Sequence, residues 1–226
     1  MSHLRSRRRS LAIGVMLTLT FWLAAAAQAV TDYNVSDLDN QSTLASGNGQ
    51  LSFTRFEFYL GNADRADFTL SVLDDGIRLT GPLSVTGGAA AEFYFSYEVS
   101  VLGNLPGIDG VALYTPSEIT GDGYPNFIKT AKQVYSGPTP PSFHQDTLAT
   151  LTSRNFEGEY SEFASANFAP QQLLSVFDGL RLNSAGPGDT ATLFEITNTF
   201  NVVPEPTSFL LLGLGLVSLS VASRRR

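Results

Sequence analysis

The sequence contains no cysteine, which excludes disulfides, thiolate metal sites and thiol nucleophiles together. Histidine is nearly as scarce, and after His3 only His144 remains. Charged residues make up 15% of the chain, and uncharged apolar runs of any length occur only at its two ends. A folded domain built from the middle therefore has to be held by its core, without covalent staples.

Both ends read as processing segments. Arg5, Arg7, Arg8 and Arg9 precede an apolar stretch over residues 11–27, and Ala27-Gln28-Ala29 supplies the small-x-small pattern accepted by signal peptidase. Cleavage is expected after Ala29. Ser10 stands where a twin-arginine signal wants an apolar residue, which favours the general secretory route. At the other end, residues 207–223 carry no charge. That length lies near the lower limit of about 17 residues for a membrane-spanning helix. Arg224, Arg225 and Arg226 follow, and the positive-inside rule keeps such a cluster cytoplasmic. With basic clusters inside at both ends, the residues between the apolar segments lie outside. Three parts are expected: a signal peptide (1–29), an exported domain (30–203) and a C-terminal tail (204–226).

Val203-Pro204-Glu205-Pro206, the apolar segment and the terminal arginines, in that order, resemble the PEP-CTERM sorting signal of exopolysaccharide-producing Gram-negative bacteria. The resemblance implies that exosortase, a membrane protease-transpeptidase, recognises Pro-Glu-Pro and removes the tail. It also implies a transient membrane anchor, followed by release or attachment at the cell surface among exopolysaccharide. Such tails also go under an "ice-binding protein C-terminal" label, which implies no ice binding. Pro204 and Pro206 lack N–H donors and hold the chain extended, so the element cannot merge into the helix behind it.

Without the two ends the charge balance changes. Arg55, Arg65, Arg78, Arg154, Arg181, Lys129 and Lys132 face twenty carboxylates, a net of about −13. An acidic surface lacks the basic footprint that nucleic acid requires. It suits a soluble exported protein and leaves structural calcium open.

The middle alternates with a period of two. Along residues 91–102, Ala91, Phe93, Phe95, Tyr97, Val99 and Val101 share one face, and Tyr94 points to the other. Residues 51–60 also alternate, but the phase slips at Thr54-Arg55, which predicts a bulge. Asp74-Asp75-Gly76 predicts a hairpin, with glycine expected to supply a positive φ. Residues 82–86 read as an edge piece, and 110–114, 132–135 and 147–152 as weaker strands. Pro170 and Gly179 bracket a predicted short helix over 170–177. Leu180 and Leu182 begin another strand. Thr192, Phe194, Ile196, Asn198, Phe200 and Val202 are expected on one face of the last strand. Short alternating strands with Gly-rich turns predict an all-β antiparallel sandwich, jelly-roll-like.

Chemistry-bearing residues are sparse. Ser142, His144 and Asp146 share one short segment and cannot converge as a catalytic triad. Glu157, Glu159 and Glu162 cluster beside aromatics, but two carboxylates on one strand do not flank a glycosidic bond. Asp37, Asp39 and Asn40, then Asp74-Asp75 and Gly121-Asp122-Gly123, supply oxygens of the kind calcium takes, yet none completes an EF-hand loop. No catalytic or metal set is expected. The expected protein is a non-enzymatic surface or matrix component. Its alternative is a carbohydrate-binding module contacting glycan or cation through Tyr94, Glu157, Glu159 and Glu162; a secreted hydrolase ranks last.

Overall fold

A computed structural model describes residues 30–138, 147–156 and 159–204. The chain runs through β1 (Thr31–Asn34), β2 (Thr43–Ala45), β3 (Leu51–Tyr59), β4 (Thr69–Val72) and β5 (Gly76–Thr80). Next come β6 (Ser84–Thr86), β7 (Ala90–Val101), β8 (Ile108–Tyr114), β9 (Ser117–Thr120) and β10 (Phe127–Ser136). The last six are β11 (Thr147–Phe156), β12 (Glu159–Ser161), β13 (Phe163–Gln171), β14 (Leu173–Asn183), β15 (Thr190–Leu193) and β16 (Glu195–Val202). Two short 3-10 turns are the only helical pieces among the described residues.

All pairings are antiparallel. One sheet has the order β1-β4-β5-β16-β8-β13 and the other β12-β11-β10-β14-β7-β3-β2, with β6-β15-β9 forming a small third sheet. Phe200 on β16 meets Phe53 on β3, with ring centroids 6.1 Å apart, and Tyr97 on β7 at 6.4 Å. The two large sheets thus pack face to face through their inward side chains, as expected of a sandwich.

Alternation explains which side of each strand is inside. On β7, Phe93, Phe95, Tyr97 and Val99 are buried, while Tyr94 and Ser96 face outward. The register of β3 against β7 jumps between Thr54 and Glu57, and Arg55 there has a φ of 55°. This is the bulge that the phase slip predicts. It also aims the Arg55 guanidinium at the buried Glu98 carboxylate on β7, 3.4 Å away.

The structure corrects three sequence expectations. Residues 170–177 form no helix: β13 ends at Gln171, and β14 begins at Leu173. Leu174, Val176, Asp178, Leu180 and Leu182 keep a strict two-residue period and are all buried. Leu173, Leu174 and Phe177 imitate helical spacing because an aspartate interrupts the apolar face. Phe194 does not share the inward face with Ile196. It lies between β15 and β16 and is 52% exposed, because the chain changes sheets there. Gly76 has no positive φ. Its Cβ position would fall 1.9 Å from the Asn198 carbonyl oxygen, so close approach to β16 is what excludes a side chain.

The core is mostly apolar, but at its centre Lys132 on β10, Asp178 on β14 and Asn198 on β16 are fully buried beside Tyr97. β16 is an inner strand between β5 and β8, and it ends at Val202. The Val203 N–H then donates to the Gly107 carbonyl oxygen (2.9 Å), and Pro204 is exposed. The ordered sandwich thus runs straight into the Pro-Glu-Pro element. Gly76→Ala should lower unfolding stability by about 3 kcal/mol, because overpacking against backbone cannot be relieved by a rotamer change. Chemical denaturation checks this; an unchanged midpoint would contradict the close packing.

Candidate functional site

The outward face of the seven-stranded sheet collects its polar and aromatic residues into rows. Register places Tyr59 opposite Tyr94, Tyr94 opposite Gly179, Gly179 opposite Ala131 and Ala131 opposite Thr152. A second row joins Glu57, Ser96, Phe177, Gln133 and Thr150. A third joins Glu92, Arg181, Lys129 and Arg154. Side chains of one parity on adjacent strands share a face, so these rows lie side by side.

Three rings define one end of this face. Tyr94 packs against Tyr59 at 5.5 Å and stacks on Phe177 at 5.7 Å between ring centroids. The Tyr94 hydroxyl donates to Glu92 Oε2 (2.5 Å), and Arg181 donates to the other carboxylate oxygen of Glu92. The Tyr94 bond, aided by Arg181, holds the Glu92 carboxyl below its ordinary titration range. The same bond raises the Tyr94 phenol. A ring fixed by neighbours on both sides and by its own hydroxyl loses little freedom when something stacks on it.

Three depressions cross this face. One of about 330 Å³ is lined by Glu57, Tyr59, Tyr94 and Phe177. A second, of about 290 Å³, has Gly179 and Ala131 between Tyr94, Phe177, Lys129 and Arg181. A third, of about 340 Å³, includes Lys129, Thr152, Arg154 and Phe156. Tyr94 and Phe177 belong to the first two, and Lys129 to the last two, so the three adjoin in a line, an interrupted trough across the face. From β3 to β11 it crosses four strand spacings, about 19 Å. The small side chains at Gly179 and Ala131 leave its middle low.

Of the sequence candidates, Tyr94 lies within this trough. Glu159 is on the same sheet but on the edge strand β12, where it pairs with Arg154 at 2.6 Å. Glu162 sits between β12 and β13, at the crossing from one sheet to the other, and accepts from the Tyr160 hydroxyl (2.6 Å). The structure thus separates Tyr94 from both carboxylates. Val203 and Pro204 end the sandwich as described above. Ala27, Ala29, His144, Glu157, Glu205, Pro206, Arg224, Arg225 and Arg226 lie outside the described residues.

Sequence reasoning missed Tyr59, Phe177, Lys129 and Arg181. Outward parity after the bulge marks Tyr59, whereas Phe177 was obscured by the helix expectation. Asp39, one of the possible calcium contributors, instead accepts from the Gln41 N–H and the Ser42 hydroxyl, which lower its carboxyl. No three His, Cys, Asp or Glu side chains gather as a metal set among the described residues. No helix there is long and apolar enough to cross a membrane; residues 207–223 lie outside that set.

Residues 202–226 match the PEP-CTERM protein-sorting motif, so the chain carries that signal at its C-terminal end. No curated protein matches the chain. Among solved structures, the glycosylation-associated Gap123 complex from Streptococcus agalactiae is similar at 12% identity and TM-score 0.29. That match covers 70% of this chain, which spans only 25% of the streptococcal one. TmCBM61 bound to β-1,4-galactotriose is similar at 10% identity and TM-score 0.30, over 74% of this chain and 94% of that one. A cellulase variant derived from Cel12A of Rhodothermus marinus gives 12% identity and TM-score 0.30, over 75% of this chain and all of that one. Likenesses of this size carry no functional weight.

The Glu92 contact has a definite pH signature. Its lowered folded-state value means that its contribution to stability is present above the unfolded value, near 4.5, and is lost as pH falls through the folded one. In Tyr94→Phe, which removes the largest cause, the Glu92 carboxyl should titrate closer to 4.5 when followed by NMR. An unmoved titration would show that the hydroxyl does not anchor the ring.

Proposed function

We propose that this is an exported surface or matrix protein that exosortase processes at Pro204-Glu205-Pro206, and that its sandwich contacts exopolysaccharide through the trough on the seven-stranded sheet. In this reading signal peptidase removes residues 1–29, the tail anchors the chain transiently in the membrane, and the mature part is residues 30–203, a jelly-roll-like sandwich. The sorting motif at 202–226 supports the export half.

The observation that carries the binding half is the cluster of Tyr59, Tyr94 and Phe177 rings beside a low floor at Gly179 and Ala131. Aromatic faces accept the C–H faces of sugar rings, and charged groups alongside bond hydroxyls. Lys129 stands in a row with Arg181 and Arg154, which are paired with Glu92 and Glu159, so this row offers both donors and acceptors to a glycan. The trough's length favours an extended oligosaccharide over a single sugar. Of the three carboxylates near it, Glu57, Glu92 and Glu159, two are already engaged. Glu92 is taken up by Tyr94 and Arg181, and Glu159 by Arg154, so neither is poised as acid or base.

Two experiments test the two halves separately. Replacing Pro204-Glu205-Pro206 with alanines should leave the full-length chain unprocessed and in the membrane fraction; normal processing would refute the sorting claim. The Tyr94→Ala/Phe177→Ala double variant should be retained about tenfold less by immobilised exopolysaccharide from the producing cells, a loss of about 1.4 kcal/mol. Equal retention of a folded double variant would refute the trough.

A further inference from the structure

The centre of the sandwich carries three reactive groups whose presence neither sorting nor glycan contact explains. Lys132 and Asp178 are register partners on β10 and β14, and Asn198 faces them from β16 in the opposite sheet. The Lys132 ammonium donates to Asp178 Oδ2 (3.3 Å), and the Asn198 amide donates to the same oxygen (2.7 Å). The lysine nitrogen thus shares an acceptor with an amide nitrogen one bond from the Asn198 Cγ. Tyr97 and Phe200 flank it, each ring centroid 5.8 Å from Nζ, and the Tyr97 hydroxyl accepts at 3.5 Å.

As a structural ion pair this cluster is poorly made. All three side chains are buried, both lysine bonds are long, and Asp178 Oδ1 and Asn198 Oδ1 have no hydrogen-bond partner among the described residues. Burying a charge pair costs several kcal/mol per ion before attraction and hydrogen bonds are counted. Replacement by apolar residues is often neutral or stabilising, so holding a pair gives no reason to retain these residue types.

The geometry points to a covalent outcome: an intramolecular isopeptide bond between Lys132 Nζ and Asn198 Cγ, formed by the folded chain itself with Asp178 as the proton carrier. The neutral amine attacks Cγ, the new C–N bond forms, and the Cγ–Nδ2 bond breaks. The neutral Asp178 carboxyl gives its proton to the departing nitrogen and takes one from Nζ, so it ends as it began. An amine and a primary amide become a secondary amide and one ammonia, with no change of oxidation state and no outside reagent. Burial pushes the Lys132 amine down to about 8 and raises the Asp178 carboxyl, which favours the uncharged forms with which the reaction begins. Folding supplies the rest, because fixing both partners in a dry core replaces a bimolecular encounter with a unimolecular step.

Such a bond would tie β10 of one sheet to β16 of the other and constrain the unfolded chain as a disulfide does. It would give a chain without cysteine the staple it otherwise lacks, on the strand that leads directly into the sorting motif. The proposal does not depend on glycan binding or on tail processing.

Intact-mass measurement of the folded full chain, denatured before injection, tests it. A mass below that of the residues present, their ends fixed by the terminal peptides, by one ammonia, about 17 Da, is expected. Trypsin should then fail to cleave after Lys132 and should yield a branched peptide joining that segment to the one containing Asn198. Asn198→Ala should show no loss beyond its substitution and should melt at a lower temperature. If that variant does not accumulate, the native chain's mass and peptide map still decide. An unchanged mass would overturn the proposal, and so would linkage of Lys132 to Asp178 with loss of water.

Discussion

The contact from Asn198 to Asp178 across the middle of the sandwich is the constraint around which the rest is arranged. It joins β16 to β14, and those strands hold inner positions in their respective sheets. A polar bridge at that depth survives only where water is excluded, and Phe53, Tyr97 and Phe200 provide that enclosure. Gly76 lies close to the Asn198 carbonyl because β5 pairs with β16, which joins the β4–β5 hairpin to the rest of its sheet.

With one face of the seven-stranded sheet committed to that core, the other is free for contact with something outside. The two faces use the same strands and the same residue types for different ends. On β7, Phe93 and Phe95 fill the interior while Tyr94, between them, stands in the trough. On β14, Asp178 anchors the core and its neighbours Phe177 and Gly179 shape the outer face. Function on this sheet therefore costs the core little, because alternation separates the two sets of side chains.

Much of this was legible in the sequence where one rule acted alone. The alternation of residues 91–102 gave β7, the phase slip at Thr54-Arg55 gave the bulge, and Asp74-Asp75-Gly76 gave a hairpin. Reading failed where two rules gave the same local pattern. Leu173, Leu174 and Phe177 between Pro170 and Gly179 satisfy a helical template, and only partners distant in sequence turn them into strand. Phe194 continues the alternation on paper, but the chain passes from the small sheet to the large one at that residue. The buried cluster was invisible for another reason. Lys132 looks like any surface charge until its strand is placed opposite Asp178, and Asn198 was placed inward with nothing to indicate its partner.

The sorting motif adds a mechanical condition. Val203 is still hydrogen-bonded to the sandwich at Gly107, so whatever holds the chain at Pro204-Glu205-Pro206 pulls directly on an inner strand. In the proposed reading the domain is held at this end and its free face meets the exopolysaccharide. The most direct measurement of that claim is an NMR titration of the mature chain with oligosaccharides cut from the surrounding exopolysaccharide. The account predicts shifts concentrated at Tyr59, Tyr94, Ala131, Phe177 and Gly179. Shifts spread over the six-stranded sheet, or none at saturating sugar, would contradict it.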